Sequence, residues 1–349
     1  MQFTHDWLPQ RVRFASGGAA EALAEEVRRL DATRVMAITS DAARTEHVLA
    51  GVPVEVLHTD VAMHVPVETA ERARGVAAEH EVDALVCVGG GSTTGLAKAV
   101  ALTTGLPVVA VPTTYAGSEA TDVWGLTEQG HKTTGVDPRV LPRSVVYDAS
   151  LMLTLPVPTS VASALNALAH CVDSMWAPRT DPIDQALALE GIRALHDGLP
   201  RVVADPLGLG GREQTLYGAH LAAVAFASAG SGLHHKICHV LGGMFGLPHA
   251  GTHAAVLPHV LALNAPAVPE LDRRMAQALG AETALGGLLA LGEEVEAPHS
   301  LRDLGLGADD IPKAVPPILD AAPPSNPTPV TAEVVEALLR AAWEGKEPA

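Results

Sequence analysis

Six of the sixteen histidines fall between His234 and His259, in a run that opens Gly232-Leu-His-His-Lys-Ile-Cys-His-Val-Leu-Gly-Gly. If the first part of the run is helical, His235 and His239 lie four residues apart and share one face. Gly246 and Pro248 then end the helix and present His249 on the turn that follows. Imidazoles that charge together repel, so their concentration in one place calls for a reason. The expected reason is chemistry, because a neutral-pH imidazole both donates and accepts protons. Upstream, Asn166 and His170 are also four apart. Together with His235 and His249 they make a converging set of one amide and three imidazoles. With Asp at position 166 the set would suit Zn²⁺ or Fe²⁺. An amide oxygen supplies no charge, so no functional metal is expected; if one binds, Asn166, His170, His235 and His249 are its ligands.

A second group of residues is suited to phosphate. Gly89-Gly-Gly-Ser92 follows an apolar strand-like run and opens a helical one. Such a turn lacks obstructing Cβ atoms, and free N–H groups at a helix start attract an anion. It is neither the Gly-x-Gly-x-x-Gly fingerprint nor a Walker loop, and a plain structural turn is an equally good reading of it alone. The loop Thr113-Thr-Tyr-Ala-Gly-Ser118 also leaves the carboxyl end of a strand, where open α/β sheets bind ligands. Asp41 follows the first strand of the sequence reading. A carboxylate there can accept from a ribose diol and would repel a 2′-phosphate, favouring NADH over NADPH; an ordinary helix N-cap is the competing reading.

The elements that must position these groups divide the chain near Leu155. Residues 1–155 alternate β-branched runs with amphipathic segments. Strands are expected at Arg34–Thr39, Val54–Leu57, Val82–Val88, Pro107–Val111 and Ser144–Tyr147, the last closing the sheet. That alternation indicates a parallel, Rossmann-like sheet covered by helices. Residues 156–349 show helical periodicity punctuated by Gly and Pro and no convincing strand, so an all-α substrate-binding and catalytic domain is expected. The segment Ala321–Pro329 reads as a loop.

A length of 349 residues suits two domains. Hydrophobic residues make up 48% and aromatics 3%, which implies an aliphatic core. The formal charge of −17 argues against a nucleic-acid partner or an anionic membrane surface. Cys87, Cys171 and Cys238 are far apart and odd in number, which fits a reduced cytoplasmic protein. Neither a signal peptide nor a membrane span is read.

Several of these motifs carry a resemblance. Gly-Gly-Gly-Ser followed by Ala97-Lys98, Pro112-Thr-Thr with Gly117-Ser-Glu, and the spaced histidines resemble the iron-containing alcohol dehydrogenase superfamily over nearly the whole chain. More narrowly, Gly91-Ser-Thr-Thr-Gly95, Asn166-Ala-Leu-Ala-His170 and Leu233-His-His-Lys-Ile-Cys-His239 resemble its maleylacetate reductase branch. Gly95 and Asn166 stand where the broader superfamily commonly has Asp, and both match the branch; Gly251 stands where Glu is expected. The resemblance implies a dehydroquinate synthase-like fold and NAD(P)H-dependent reduction of maleylacetate, a small dicarboxylate, to 3-oxoadipate. It also implies a homodimer. On this reading His239 lies near the nicotinamide, while His170, His235 and His249 bind or polarise the substrate. Asn166, His234, Lys236 and Tyr115 are its further contacts. Asp41, Gly89, Gly90, Gly91, Ser92, Lys98, Thr113, Thr114 and Ser118 meet the cofactor. The alternatives are a metal-dependent alcohol or polyol dehydrogenase and a nucleotide-binding protein without catalysis.

Overall fold

The structure is a computed structural model that describes residues 1–128 and 131–348. The chain divides into two compact units: Trp7–Leu155, and Met1–Asp6 together with the chain from Pro156 onward.

The first unit is α/β. In order it forms β1 (Arg11–Phe14), α1 (Ala19–Arg29), β2 (Val35–Ile38), α2 (Ala42–Thr45), β3 (Val54–His58) and α3 (Val67–Glu79). It continues with β4 (Ala84–Gly89), α4 (Gly91–Thr104), β5 (Val108–Pro112), β6 (Val123–Glu128), β7 (His131–Val136) and β8 (Ser144–Tyr147). Among the described residues six strands pair in the order β1-β8-β5-β4-β2-β3, every pair parallel. The central strands β4 and β5 are buried along nearly their whole length, and their unbroken aliphatic runs suit a sheet covered on both faces.

The five expected strands are present, but Ser144–Tyr147 does not close the sheet. β1 pairs outside it, Val12 opposite Val145. The sequence hides β1 because its four residues include Arg11 and Arg13, whose charges pair with Glu26 and Glu25 on α1. A separate antiparallel hairpin, β6 with β7, is the other addition.

The second unit is helical: α5 (Val157–Ser174), α6 (Pro182–Ala204), α7 (Leu209–Ala229), α8 (Leu233–Phe245) and α9 (His249–Asn264), then α10 (Pro269–Ala278), α11 (Ala284–Glu294), α12 (Ile311–Ala321) and α13 (Ala332–Glu344). Close approach of α6 and α7 rests on glycine: a Cβ at Gly198 would lie 2.7 Å from the Thr215 nitrogen. The helix α12 is hidden in the sequence by Pro312, Pro316 and Pro317. Pro312 sits in the first turn, where no N–H is needed. The buried spacing Ile311, Val315 and Ile318 outweighs the bonds that the other two prolines remove.

Candidate active site

In the α/β unit the strand order reverses between β2 and β4, since β3 lies on one side of β2 and β4 on the other. Ligands of open sheets bind at such a reversal, outside the carboxyl ends of the strands. Ile38 pairs with Cys87 and Gly89 with Pro112, so the exits of three strands lie side by side. Gly90 caps α4 without any side-chain cap, leaving the first N–H groups of that helix for an anion. A Cβ at Gly89 would lie 2.8 Å from Thr93 Cβ, and one at Gly90 would lie 3.0 Å from Thr114 Cγ2. The Thr113 N–H donates to the Gly89 carbonyl at 3.0 Å, which locks the two loops together. Ser92, Thr113, Thr114 and Ser118 are half-buried around this cradle. Its narrow, Cβ-free floor and helix start fit the pyrophosphate of a dinucleotide. Gly89→Ala should therefore raise the Kd for NADH at least about tenfold, roughly 1.4 kcal/mol, measured by fluorescence titration.

Two residues expected at this site, and one expected at the substrate, have other placements. Asp41 is the N-cap of α2, accepting from the Arg44 N–H at 3.1 Å and pairing with its guanidinium. Lys98 is fully buried: its ammonium donates to the carbonyls of Ser118 (2.5 Å), Thr121 (2.8 Å) and Val123 (2.9 Å) and to Thr121 Oγ1 (3.1 Å). It is a strut between α4 and the loop after β5, not a cofactor contact, and burial pulls its pKa down to about 8. Tyr115 is likewise fully buried in the core instead of lying open to substrate.

The helical unit gathers the histidines. His170 on α5 stacks on His235 of α8 with ring centroids 4.9 Å apart, and Phe226 of α7 packs on both at 4.6 and 4.4 Å. His253 on α9 lies 4.7 Å from His235, 5.0 Å from His234 and 4.3 Å from His249. His239 is 6.1 Å from His235 and 6.3 Å from His249. His170, His234, His235 and His253 are buried, whereas His239 and His249 are exposed. His249 is not on a turn: Gly246 ends α8 with φ of 66°, and His249 is already the first residue of α9. Asn166 is buried one turn before His170, and its Oδ1 has no hydrogen-bond partner. Lys236 is half-buried.

Two of these rings have tautomers that their partners define. The His234 Nε2–H donates to the His253 carbonyl at 2.9 Å, which leaves Nδ1 as its bare nitrogen. The His235 Nδ1–H donates to Asp173 Oδ2 at 2.7 Å, leaving Nε2 bare within the cluster. Asp173 also accepts from the backbone N–H groups of Gly232 (3.0 Å) and His235 (3.2 Å). It thus caps α8 from α5, and Gly232 is required beneath it, since a Cβ there would lie 2.5 Å from Asp173 Oδ1. Burial pushes Asp173 up to about 7, against the pull of those N–H groups.

Burial also holds the imidazoles neutral, reinforced by their neighbours: His170 is lowered to about 3 and His234 to about 4, with His235 and His253 well below the ordinary value. These groups bind protons more weakly folded than unfolded. Their stabilising contribution is therefore complete above pH 6.5 and is lost as pH falls toward 4. Urea unfolding midpoints should drop by an amount worth several kcal/mol, on the order of 1.4 kcal/mol per pKa unit per histidine, between pH 7 and pH 5. An unchanged midpoint would mean that these histidines are already charged in the native state.

His253, Asp173 and Phe226 are the cluster members that sequence reasoning missed. His253 follows His249 by four residues and Asp173 follows His170 by three, so helical spacing was the available signal for both. Phe226 had no such signal.

A chain with this sheet, this glycine turn and this histidine cluster can be compared with known families. Residues 9–149 match the iron-containing alcohol dehydrogenase family and residues 160–343 its C-terminal domain, and the chain belongs to that family. It is 45% identical to the maleylacetate reductase of Sphingobium indicum, across 100% of this chain and 99% of that protein. The crystal structure of maleylacetate reductase from Agrobacterium tumefaciens covers 100% of both chains at 40% identity with a TM-score of 0.94. That of an iron-containing alcohol dehydrogenase from Corynebacterium glutamicum has 57% identity and a TM-score of 0.98, covering 100% of this chain and 99% of the other.

The family's metal can be tested against the donors present. Asn166 Oδ1, His170 Nδ1 and His235 Nε2 are buried without hydrogen-bond partners, but an amide and neutral imidazoles bring no charge to offset a divalent ion. Among the described residues, His170, His235 and His249 do not form a group with ligand atoms within 4.8 Å of one another. The groups that do here, His234 with Cys238 and His253, and Asp173 with His234 and His235, have His234 Nε2 and His235 Nδ1 already committed to hydrogen bonds. The expected donor set does not fit a resident divalent ion.

Proposed function

We propose that this protein reduces the carbon–carbon double bond of maleylacetate to give 3-oxoadipate. The observation that carries the reading is the buried imidazole cluster of α5, α8 and α9, in a chain similar to maleylacetate reductases from end to end. A nicotinamide dinucleotide, NADH or NADPH, supplies the hydride when bound at the α/β unit's glycine cradle. The helical unit handles the substrate. Reduction of an enone builds negative charge on the ketone oxygen, which neutral imidazole donors can stabilise. His170 and His249 polarise that oxygen, while His235, its Nδ1–H held by Asp173, faces the cluster with the bare Nε2 as a hydrogen-bond acceptor. The exposed His239 delivers the proton to the adjacent carbon and can be recharged from solvent. Lys236 anchors the carboxylate end; His234, expected beside it, is buried with its one ring N–H given to the His253 carbonyl and has no donor left for a carboxylate. An enolate is less basic than the alkoxide of simple ketone reduction, so the donors suffice without a Lewis acid.

Among the described residues no single helix is long and apolar enough to cross a membrane, and the three cysteines are free and buried, which supports a cytoplasmic enzyme; light scattering tests the homodimer. The deciding experiment is NADH oxidation with maleylacetate, with and without a chelator. Turnover that chelation leaves intact is expected. Activity restored only by added Zn²⁺ or Fe²⁺ would favour a metal-dependent alcohol dehydrogenase instead.

A further inference from the structure

We propose that His5, Asp181 and Asp184 form a site for one divalent transition-metal ion of the zinc type, built on the helical unit and separate from the histidine cluster. His5 lies in the segment Met1–Asp6, which belongs to that unit. Asp181 is the N-cap of α6: its Oδ1 accepts the N–H groups of Ile183 (2.7 Å) and Asp184 (3.1 Å). Its Oδ2 stands 2.8 Å from His5 Nδ1, and Asp184 Oδ1 stands 3.7 Å from the same nitrogen. The three side chains are 5%, 4% and 0% exposed. Neither oxygen of Asp184 makes a well-aligned hydrogen bond, although the Ser228 hydroxyl and the Asp181 N–H lie close enough to favour its charged form.

Charge makes this arrangement incomplete. Two carboxylates face a single imidazole, which can cancel at most one of them, and a buried carboxylate without compensation is costly. Burial and the neighbouring Asp181 charge accordingly raise the pKa of Asp184. One divalent ion would neutralise both carboxylates. Ligands about 2.1 Å from a tetrahedral ion stand roughly 3.4 Å apart. The separations of 2.8 and 3.7 Å from His5 Nδ1 straddle that value, and all three ligand atoms lie within 4.8 Å of one another. The Ser228 hydroxyl at the end of α7, 3.5 Å from His5 Nδ1, borders the fourth side. One imidazole and two carboxylates suit Zn²⁺, with Mn²⁺ weaker, and fall short of the oxygen count for Ca²⁺. The imidazole set near His235 lacks this charge. A neutral His5 ring can pass its Nδ1 proton to Nε2, which leaves the Nδ1 lone pair for the ion.

The test is calorimetric titration of Zn²⁺ into full-length protein stripped with a chelator. The native protein should bind one equivalent of zinc at this site. His5→Gln and Asp184→Asn should each lose one equivalent, or bind it more than about 100-fold more weakly, beyond what loss of an outer-shell partner brings. A His170→Ala/His235→Ala double variant should keep it with unchanged Kd, and X-ray absorption on that variant should show nitrogen and oxygen ligands without sulfur. The His5 variant, changed outside any helix, covers the case in which Asp184→Asn fails to fold. Native protein that takes up no zinc, zinc uptake unaltered in both site variants, or loss of all zinc in the double variant overturns the proposal.

Discussion

Replacing His239 by Ala should lower kcat for maleylacetate reduction by about 10²–10⁴-fold, the range for removal of a general acid. His239 is exposed on α8, so its loss opens no cavity, and unfolding free energy should move by no more than about 0.5 kcal/mol. That separation of activity from stability is the useful feature of the variant. NADH binding at the glycine cradle should be unchanged. A variant that keeps kcat within threefold of the native enzyme would remove His239 from the proton-delivery role and shift attention to His249, the other exposed ring of the cluster.

Asp173→Asn should produce a second large loss, by a different route. The carboxylate takes three N–H donors, two of them from the backbone at the start of α8 and one from the His235 ring. Charge-assisted bonds of this kind are about twice as strong as neutral ones. An amide would hold His235 more weakly and could donate to Nδ1, favouring the tautomer with the proton on Nε2. The group left facing the cluster would then change from an acceptor to a donor. Turnover should fall about 10²-fold or more, by analogy with other oriented histidines, while stability falls by about 1–3 kcal/mol for weakened buried bonds. The two effects can be told apart by measuring kcat well below the variant's melting temperature. A less stable protein with native kcat there would make Asp173 a helix cap and nothing more.

Both predictions depend on side chains that differ in how legible they were. His235 and His239 were readable because helical spacing places residues four apart on one face, whatever the helix packs against. His253 and Asp173 obey the same spacing, yet their importance comes from rings and N–H groups supplied by other helices. Lys98 shows the opposite error. A lysine following a glycine turn invites a phosphate contact, but its direction was settled by the carbonyls of Ser118, Thr121 and Val123, which a linear reading does not bring near it.

Local physics alone determined the alternation of aliphatic strands and helices, the helical second half, the anion-ready glycine turn and the density of imidazoles. Each of these depends on periodicity, Cβ sterics or side-chain chemistry within about one helical turn or one strand. Tertiary structure decided the rest. It recruited the charged β1 to the sheet edge through pairing with β8, let apolar burial override the prolines of α12, and turned Lys98 and Tyr115 into the core. It also drew His5, Asp181 and Asp184 together across 176 residues of chain. In every one of these cases the deciding free energy is desolvation or pairing with a distant segment, which exists only once the chain has folded.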